Sequence, residues 1–194
     1  KELDKDTIYL EISTFMRYFE VDDKNFSDYA EWITAHKNII IDIRNNGGGM
    51  MNFADEYLAE IVNRDIILYS KMNNKVLERM LTGRCKDEKN IIVLINKGCY
   101  SCSTYFSGNI KLNKIGTLIG EKTAGGGYNL GKPFVLPDYN VVNIPFYAHV
   151  TDSMGNDFED GVEPDIVVED KIDSEKDAVL EKAMEVLNNF VVQN

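Results

Sequence analysis

The sequence predicts an α/β fold built on a largely parallel sheet, and three observations lead there. The runs Asn38–Ile43 (NIIIDI) and Ile91–Ile95 (IIVLI) are short and almost wholly apolar, as strands buried on both faces are. Segments with helical spacing of apolar residues alternate with them, the pattern of βαβ units. Gly- and Asn-rich breakers end the apolar runs, Arg44–Gly49 being the clearest.

Taken in order, Thr7–Phe15 (TIYLEISTF) reads as a strand, rich in β-branched and aromatic residues. Asn25–His36 reads as a helix with Phe26, Tyr29, Ala30 and Ile33 on one face. After the Asn38–Ile43 strand and its Gly-rich loop comes a second helix. Asn52 is its expected cap, with Asp55 in its first turn and Phe53, Tyr57, Leu58, Ile61 and Val62 facing inward. Ile66–Tyr69 is a strand and Asn74–Leu81 is expected to be helical. The buried strand Ile91–Ile95 leads to a helix over Ser101–Leu112, followed by a strand at Thr117–Gly120. Beyond Gly127 the character changes. Lys132–Leu136 and Val141–Pro145 read as a small antiparallel segment around Pro137–Asn140. A last helix spans Ser174–Phe190, with Val179, Leu180, Ala183, Val186 and Leu187 inward.

A chain of 194 residues with 44% hydrophobic and 27% charged residues suits one globular domain, residues 1–194, with a substantial core. No apolar run is long enough to span a bilayer, and no signal peptide is visible. The chain opens on Lys1 without an initiator Met, so a fragment of a longer protein is expected. The formal net charge of -11 argues against nucleic acid and anionic membrane as partners. Cys99 and Cys102 match a CxxC spacing, but there is no second pair to complete a zinc site. Buried thiols flanking a turn are the simpler reading, with no metal and no cofactor expected.

The chemistry centres on Cys99-Tyr100-Ser101-Cys102-Ser103-Thr104, at the junction of a buried strand and a helix start. A serine there is suited to nucleophilic attack, because the helix N-terminus favours developing negative charge. Ser101 and Ser103 are the candidates. The amide of Cys102 can supply one oxyanion donor, and an amide of Gly47, Gly48 or Gly49 the second. The loop after Ile43 lacks both GxxxxGK[ST] and GxGxxG, which argues against nucleotide binding. Thr123–Gly127 (TAGGG) reads as a cleft lining for an extended peptide. The base is harder to assign. His36 ends a helix, His149 lies near the antiparallel strands, and Lys122 and Lys132 flank the second Gly-rich segment. Glu159, Asp160 and Glu163 are available to orient a base.

Four ordered segments carry a family resemblance. Ile39–Gly49 resembles the strand-plus-loop signature of tail-specific (carboxy-terminal processing) proteases and the tricorn protease core. Ile92–Phe106 resembles the nucleophile segment of that family, Leu118–Gly126 the segment after it, and Gly161–Ile166 (GVEPDI) its closing motif. The resemblance implies a ClpP/crotonase-like catalytic core with a C-terminal helix. It further implies serine endopeptidase activity on unstructured polypeptides or C-terminal tails, without cofactor, in proteins that are commonly exported and can be oligomeric. It assigns the nucleophile to Ser101, with Ser103 as second choice, and the oxyanion donors to Gly48 and Cys102. The lysine of the Ser-Lys branch falls on Gly126, so the chain is similar instead to the tricorn and retinoid-binding-protein-like branch. In tricorn proteases a histidine and a second serine come from upstream of the core, here before Lys1. The glutamate near the final motif matches Glu159. The PDZ-like region common in that family is not expected within these 194 residues.

Two alternatives stand beside the peptidase reading. A non-catalytic peptide- or lipid-binding module on the same fold would need no base. An acyl-CoA enzyme of crotonase type would use the same paired amides, but the serine at the helix start and the GVEPDI ending weigh against it.

Overall fold

The computed structural model describes residues 1–16, 27–72, 74–126, 132–144, 149–169 and 176–192. In chain order the elements are β1 (Glu2–Asp4), β2 (Thr7–Glu11), α1 (Ser27–Ala35), β3 (Asn38–Asp42), α2 (Met51–Ile61), β4 (Ile66–Met72), β5 (Lys75–Leu81), β6 (Asn90–Ile95), α3 (Cys102–Leu112), β7 (Thr117–Gly120), β8 (Lys132–Val135), β9 (Val141–Ile144), β10 (His149–Thr151), β11 (Ile166–Val167) and α4 (Ala178–Val192). The main sheet has the order β1-β2-β3-β6-β7-β11. Every neighbouring pair in it is parallel except β1 with β2.

The apolar runs become central strands because both of their faces are covered. Ile39, Ile41, Val93 and Ile95 point into a core shared with α1, α2 and α3, including Ile33, Leu58 and Phe106. Ile40, Ile92, Leu94 and Ile119 point the other way, onto Val179, Ala183 and Leu187 of α4. The period of two thus divides each strand between two helix layers.

One element differs in kind from expectation. Asn74–Leu81 is not a helix: β5 pairs antiparallel with β4 from Ile66↔Leu81 to Met72↔Lys75. KVLERML is, Val76 apart, composed of good helix formers, but a hairpin partner satisfies its backbone. Asn74, at φ 61°, supplies the left-handed turn residue. The second helix is capped differently too. Its N-cap is Met50, without a side-chain bond, and not Asn52. The antiparallel hairpin β8–β9 and the helix α4 stand where expected, with somewhat shorter bounds. Of the positions named from the sequence, Asn25, Phe26, Gly127, Pro145 and Ser174 lie outside the described residues, as do the side chains of Tyr29, Lys132 and His149.

The last helix is tied to the sheet by charge. Arg44, just after β3, donates from Nη2 to Asp42 at 2.6 Å and to Asp177 at 2.7 Å, and the Tyr9 hydroxyl donates to Asp42 at 2.6 Å. Asp177 also accepts the Leu180 amide at 3.0 Å, capping α4. Burial works to raise the Asp177 carboxyl, but hydrogen bonds from Arg44 and the Leu180 amide outweigh it and hold the pKa below the ordinary value. A depressed carboxyl contributes stability that is present above its unfolded pKa, about 3.9, and is lost as pH falls through the folded value. Stability should therefore decline below about pH 4, and Asp177→Asn should flatten that decline in urea titrations repeated across pH.

Candidate active site

Three loops converge at the C-terminal ends of β3, β6 and β7, the end of a parallel sheet at which ligands bind. They carry Gly48, Ser101 and the Gly125-Gly126 strip. The turn after β6 holds Ser101 at φ 57°, ψ -118°, as the N-cap of α3. This lies outside the left-handed well that non-glycine residues tolerate, so the backbone is strained there. The strain is held by bonds on both sides. Ser101 N–H donates to Gly125 O at 3.2 Å, and Ser101 O accepts Tyr105 N–H at 3.1 Å. The next amide, that of Cys102, is the first of α3 and belongs to the donors a helix leaves unsatisfied within itself.

Gly48 approaches this turn more closely than any other residue type could. At φ 105°, a Cβ added to it would stand 2.8 Å from Ser101 Cβ, 2.8 Å from Tyr100 O and 2.9 Å from Cys102 N. Its amide donates to Asn46 Oδ1 at 2.8 Å. Service to an oxyanion would share that donor between Asn46 and the substrate.

Two asparagines set this geometry, and sequence reasoning singled out neither. Asn46 is fully buried. Its Nδ2 donates to Ile12 O at 2.7 Å, and its carbonyl accepts both Ser103 Oγ at 2.7 Å and Tyr100 N–H at 3.1 Å. One residue thus joins β2, the Gly-rich loop and the serine turn. Asn96 Oδ1 accepts the amides of Asn45 and Gly98, each at 2.9 Å, locking the β3 and β6 loops together. An Asn placed directly before a Gly run and another directly after an apolar strand were the available signals.

Ser103 is fully buried with its hydroxyl turned onto the Asn46 carbonyl. Cys99, Cys102 and Cys85 are free thiols and all buried. Burial pushes Cys99 up to about 11, and Cys102 up to about 12 by burial and then by the charge of Asp55. Cys99 Sγ also donates to Ile43 O at 3.0 Å. Thiols held neutral in this way are poor nucleophiles and poor metal ligands. Incubation with a disulfide reagent at pH 8 should therefore leave Cys99 and Cys102 unmodified on the timescale on which they react in denaturant. Among the described residues, no group of three or more His, Cys, Asp or Glu is placed to hold a metal ion.

The Gly125-Gly126 strip is fastened from beneath. Thr104 Oγ1 donates to Gly125 O and lies against Thr123 Oγ1, both at 3.2 Å, and Thr123 Oγ1 accepts Val162 N–H at 2.9 Å. Gly126 N–H donates to Glu159 O at 3.0 Å. A Cβ on Gly126 would lie 3.6 Å from both Glu159 Oε2 and the Tyr100 hydroxyl. Glu159 and Tyr100 therefore border the space into which a side chain at Gly126 would extend, with the strip between Glu159 and Ser101. Tyr100, half exposed, is a cleft residue that the sequence did not single out.

Two of the base candidates are engaged elsewhere. His36 precedes β3, at the opposite end of a five-residue strand, about 16 Å from the loops by strand rise alone. Its Nδ1 lies 2.8 Å from Trp32 O, and its Nε2 lies 3.5 Å from Glu2. Lys122 pairs with Glu163 at 3.0 Å.

A serine forced into a strained turn against a glycine amide is a recurrent hydrolase arrangement, and comparison with known proteins narrows it. The chain is 29% identical over 165 residues to the tricorn protease of Thermoplasma volcanium, covering 82% of this chain and 16% of that protein. It is 28% identical over 160 residues to a carboxyl-terminal-processing protease of Synechocystis, covering 78% of this chain and 37% of that protein. The chain thus spans well under half the length of these curated relatives. Its fold superposes on the crystal structure of the tricorn protease with a TM-score of 0.68 at 24% identity, over 97% of this chain and 18% of that one. Residues 6–168 match peptidase family S41, and a match over most of the chain, carrying the Gly-rich loop and the serine turn alike, shows that the chain belongs to that family.

Proposed function

We propose that the chain forms the nucleophile-bearing core of a serine peptidase, and one observation carries the reading: the strained Ser101 turn lies against Gly48 and the first amide of α3. In this reading Ser101 Oγ gives its proton to a base and bonds to the scissile carbonyl carbon. The carbonyl oxygen becomes an oxyanion between the amides of Cys102 and Gly48. Collapse breaks the C–N bond, and the amine departs with the proton. Water then attacks the acyl-enzyme, returns the proton to Ser101 and releases the acid. Glu159, across the Gly125-Gly126 strip, orients the base, which comes from outside the described side chains.

The substrate class is an unstructured polypeptide or a C-terminal tail, as the names of the carboxyl-terminal-processing relatives suggest. A fluorophosphonate probe tests the reading, because it reacts only with an activated serine. Labelling of the protein on the peptide containing Ser101, lost in Ser101→Ala, supports it. Absence of labelling, with binding of peptides retained, overturns it in favour of a non-catalytic peptide-binding module.

A further inference from the structure

We propose that Met16, Met50 and Met51 form an oxidisable thioether lip beside Ser101, a modification site at which a hydroperoxide turns an apolar substrate contact into a polar one. The proposal rests on the peptidase reading above.

The backbone brings the three methionines together. Phe15 and Gly49 pair as a parallel bridge: Phe15 N–H donates to Gly48 O at 2.9 Å, and Met50 N–H donates to Phe15 O at 3.0 Å. Side chains alternate along paired extended segments. Phe15 is 1% exposed, so Met16 and Met50, the next residues on either side of the bridge, emerge on the opposite face, 47% and 51% exposed. Thr14 shares that face with Met16. Its hydroxyl donates to Gly48 O and accepts Met16 N–H, both at 3.1 Å. Met51, 38% exposed, follows as the first residue of α2. Met50 lies two residues beyond Gly48, where an added Cβ would stand 2.8 Å from Ser101 Cβ. Three thioethers thus border the loop that meets the serine turn, with Tyr100 exposed on the turn itself.

Sulfur is distributed in this chain so that oxidation reaches that lip. Peroxide attacks thiolates, but Cys99 and Cys102 are buried and held as neutral thiols. Cys85 is buried as well, with Sγ donating to Asp87 O at 3.3 Å. A thioether needs no ionisation, only access. Of the seven methionines, Met184 packs onto the α4 side of the sheet. Met72, Met80 and Met154 are exposed on β4, β5 and the loop after β10, which makes them controls within the same molecule.

In the modification the methionine sulfur attacks one oxygen of hydrogen peroxide. An S–O bond forms as the O–O bond breaks, and the departing hydroxide takes the remaining proton and leaves as water. Sulfur is oxidised to the sulfoxide and the peroxide is reduced; methionine sulfoxide reductases reverse the change. Before oxidation the flexible thioethers accept apolar substrate side chains of varied shape. Afterwards the same contact must strip water from a sulfoxide without giving it a partner. The change falls on substrate affinity and leaves the nucleophile intact.

The protein is treated with hydrogen peroxide and mapped by peptide mass. Met16, Met50 and Met51 are each expected to gain one oxygen, and Cys99 and Cys102 none. Affinity at the site is read as the concentration of an octapeptide of alternating Leu and Ala that halves fluorophosphonate labelling of Ser101. Oxidation should raise that concentration about tenfold and leave the labelling rate without peptide within about twofold. The triple variant Met16→Leu, Met50→Leu, Met51→Leu should not respond to peroxide, whereas Met72→Leu, Met80→Leu, Met154→Leu should respond as the parent does. Equal responses of the two triple variants overturn the inference. So does a loss of affinity at peroxide doses that leave Met16, Met50 and Met51 unmodified, a comparison that stands even if the first variant fails to fold. Labelling at Ser101 with unchanged peptide protection after oxidation sinks this inference alone. No labelling of the untreated protein sinks the peptidase reading and this inference with it.

Discussion

Gly48→Ala is expected to lower peptidase activity at least about 10³-fold and to cost about 3 kcal/mol of stability. The added methyl would meet Ser101 Cβ and Tyr100 O at 2.8 Å and Cys102 N at 2.9 Å. These are backbone and near-backbone atoms in a turn fastened by Asn46 and Gly125, so they cannot swing aside as a flexible side chain would. The φ of 105° adds strain that alanine cannot relieve. Any relaxation must push the Gly-rich loop away from the serine turn, separating the two amides proposed to share an oxyanion. Gly47→Ala is the internal control: a Cβ there meets nothing within 4 Å, so stability should change by less than about 1 kcal/mol. Peptide hydrolysis and urea denaturation on the two variants check both halves. Native turnover in Gly48→Ala would remove Gly48 from the site.

Ser101→Ala and Ser101→Gly should both lower turnover by about 10⁴-fold or more, because each deletes the nucleophile. Their stabilities should part company. Alanine inherits the φ 57°, ψ -118° backbone and gains nothing. Glycine adopts it without steric cost and should be more stable than the parent by about 1 kcal/mol. A Tm that rises only with glycine identifies strain retained at a reacting residue. Ser103→Ala is the contrast. It loses the bond to the Asn46 carbonyl, costs about 1 kcal/mol and leaves turnover within about tenfold of the parent. A large loss of turnover with Ser103→Ala and none with Ser101→Ala would exchange the two roles.

The sheet was legible in the sequence because strands buried on both faces must be apolar throughout, and Ile39–Ile41 and Ile91–Ile95 have no other reading at that length. β5 was not, because KVLERML favours a helix when read alone and its pairing with β4 is a tertiary fact. The serine turn and Gly48 could be named from residue type and order. Asn46 and Asn96 could not be ranked above other loop asparagines, since their importance lies in contacts across 34 to 57 residues of sequence. Met50 takes the cap position because Gly49 enters it in extended pairing with Phe15, a constraint that cap preferences do not contain.

The bond between Arg44 and Asp177 joins positions 133 residues apart and sets an order of events during synthesis. The Gly-rich loop begins at Arg44, but its guanidinium has its second carboxylate only after the ribosome has added Asp177. The outer face of the sheet, Ile40, Ile92, Leu94 and Ile119, is covered only after Leu187 has followed. A nascent chain that already carries the serine turn therefore cannot finish its own scaffold. The proposed hydrolytic machinery is completed only once α4 has been made, and a chain truncated before α4 would leave it unassembled.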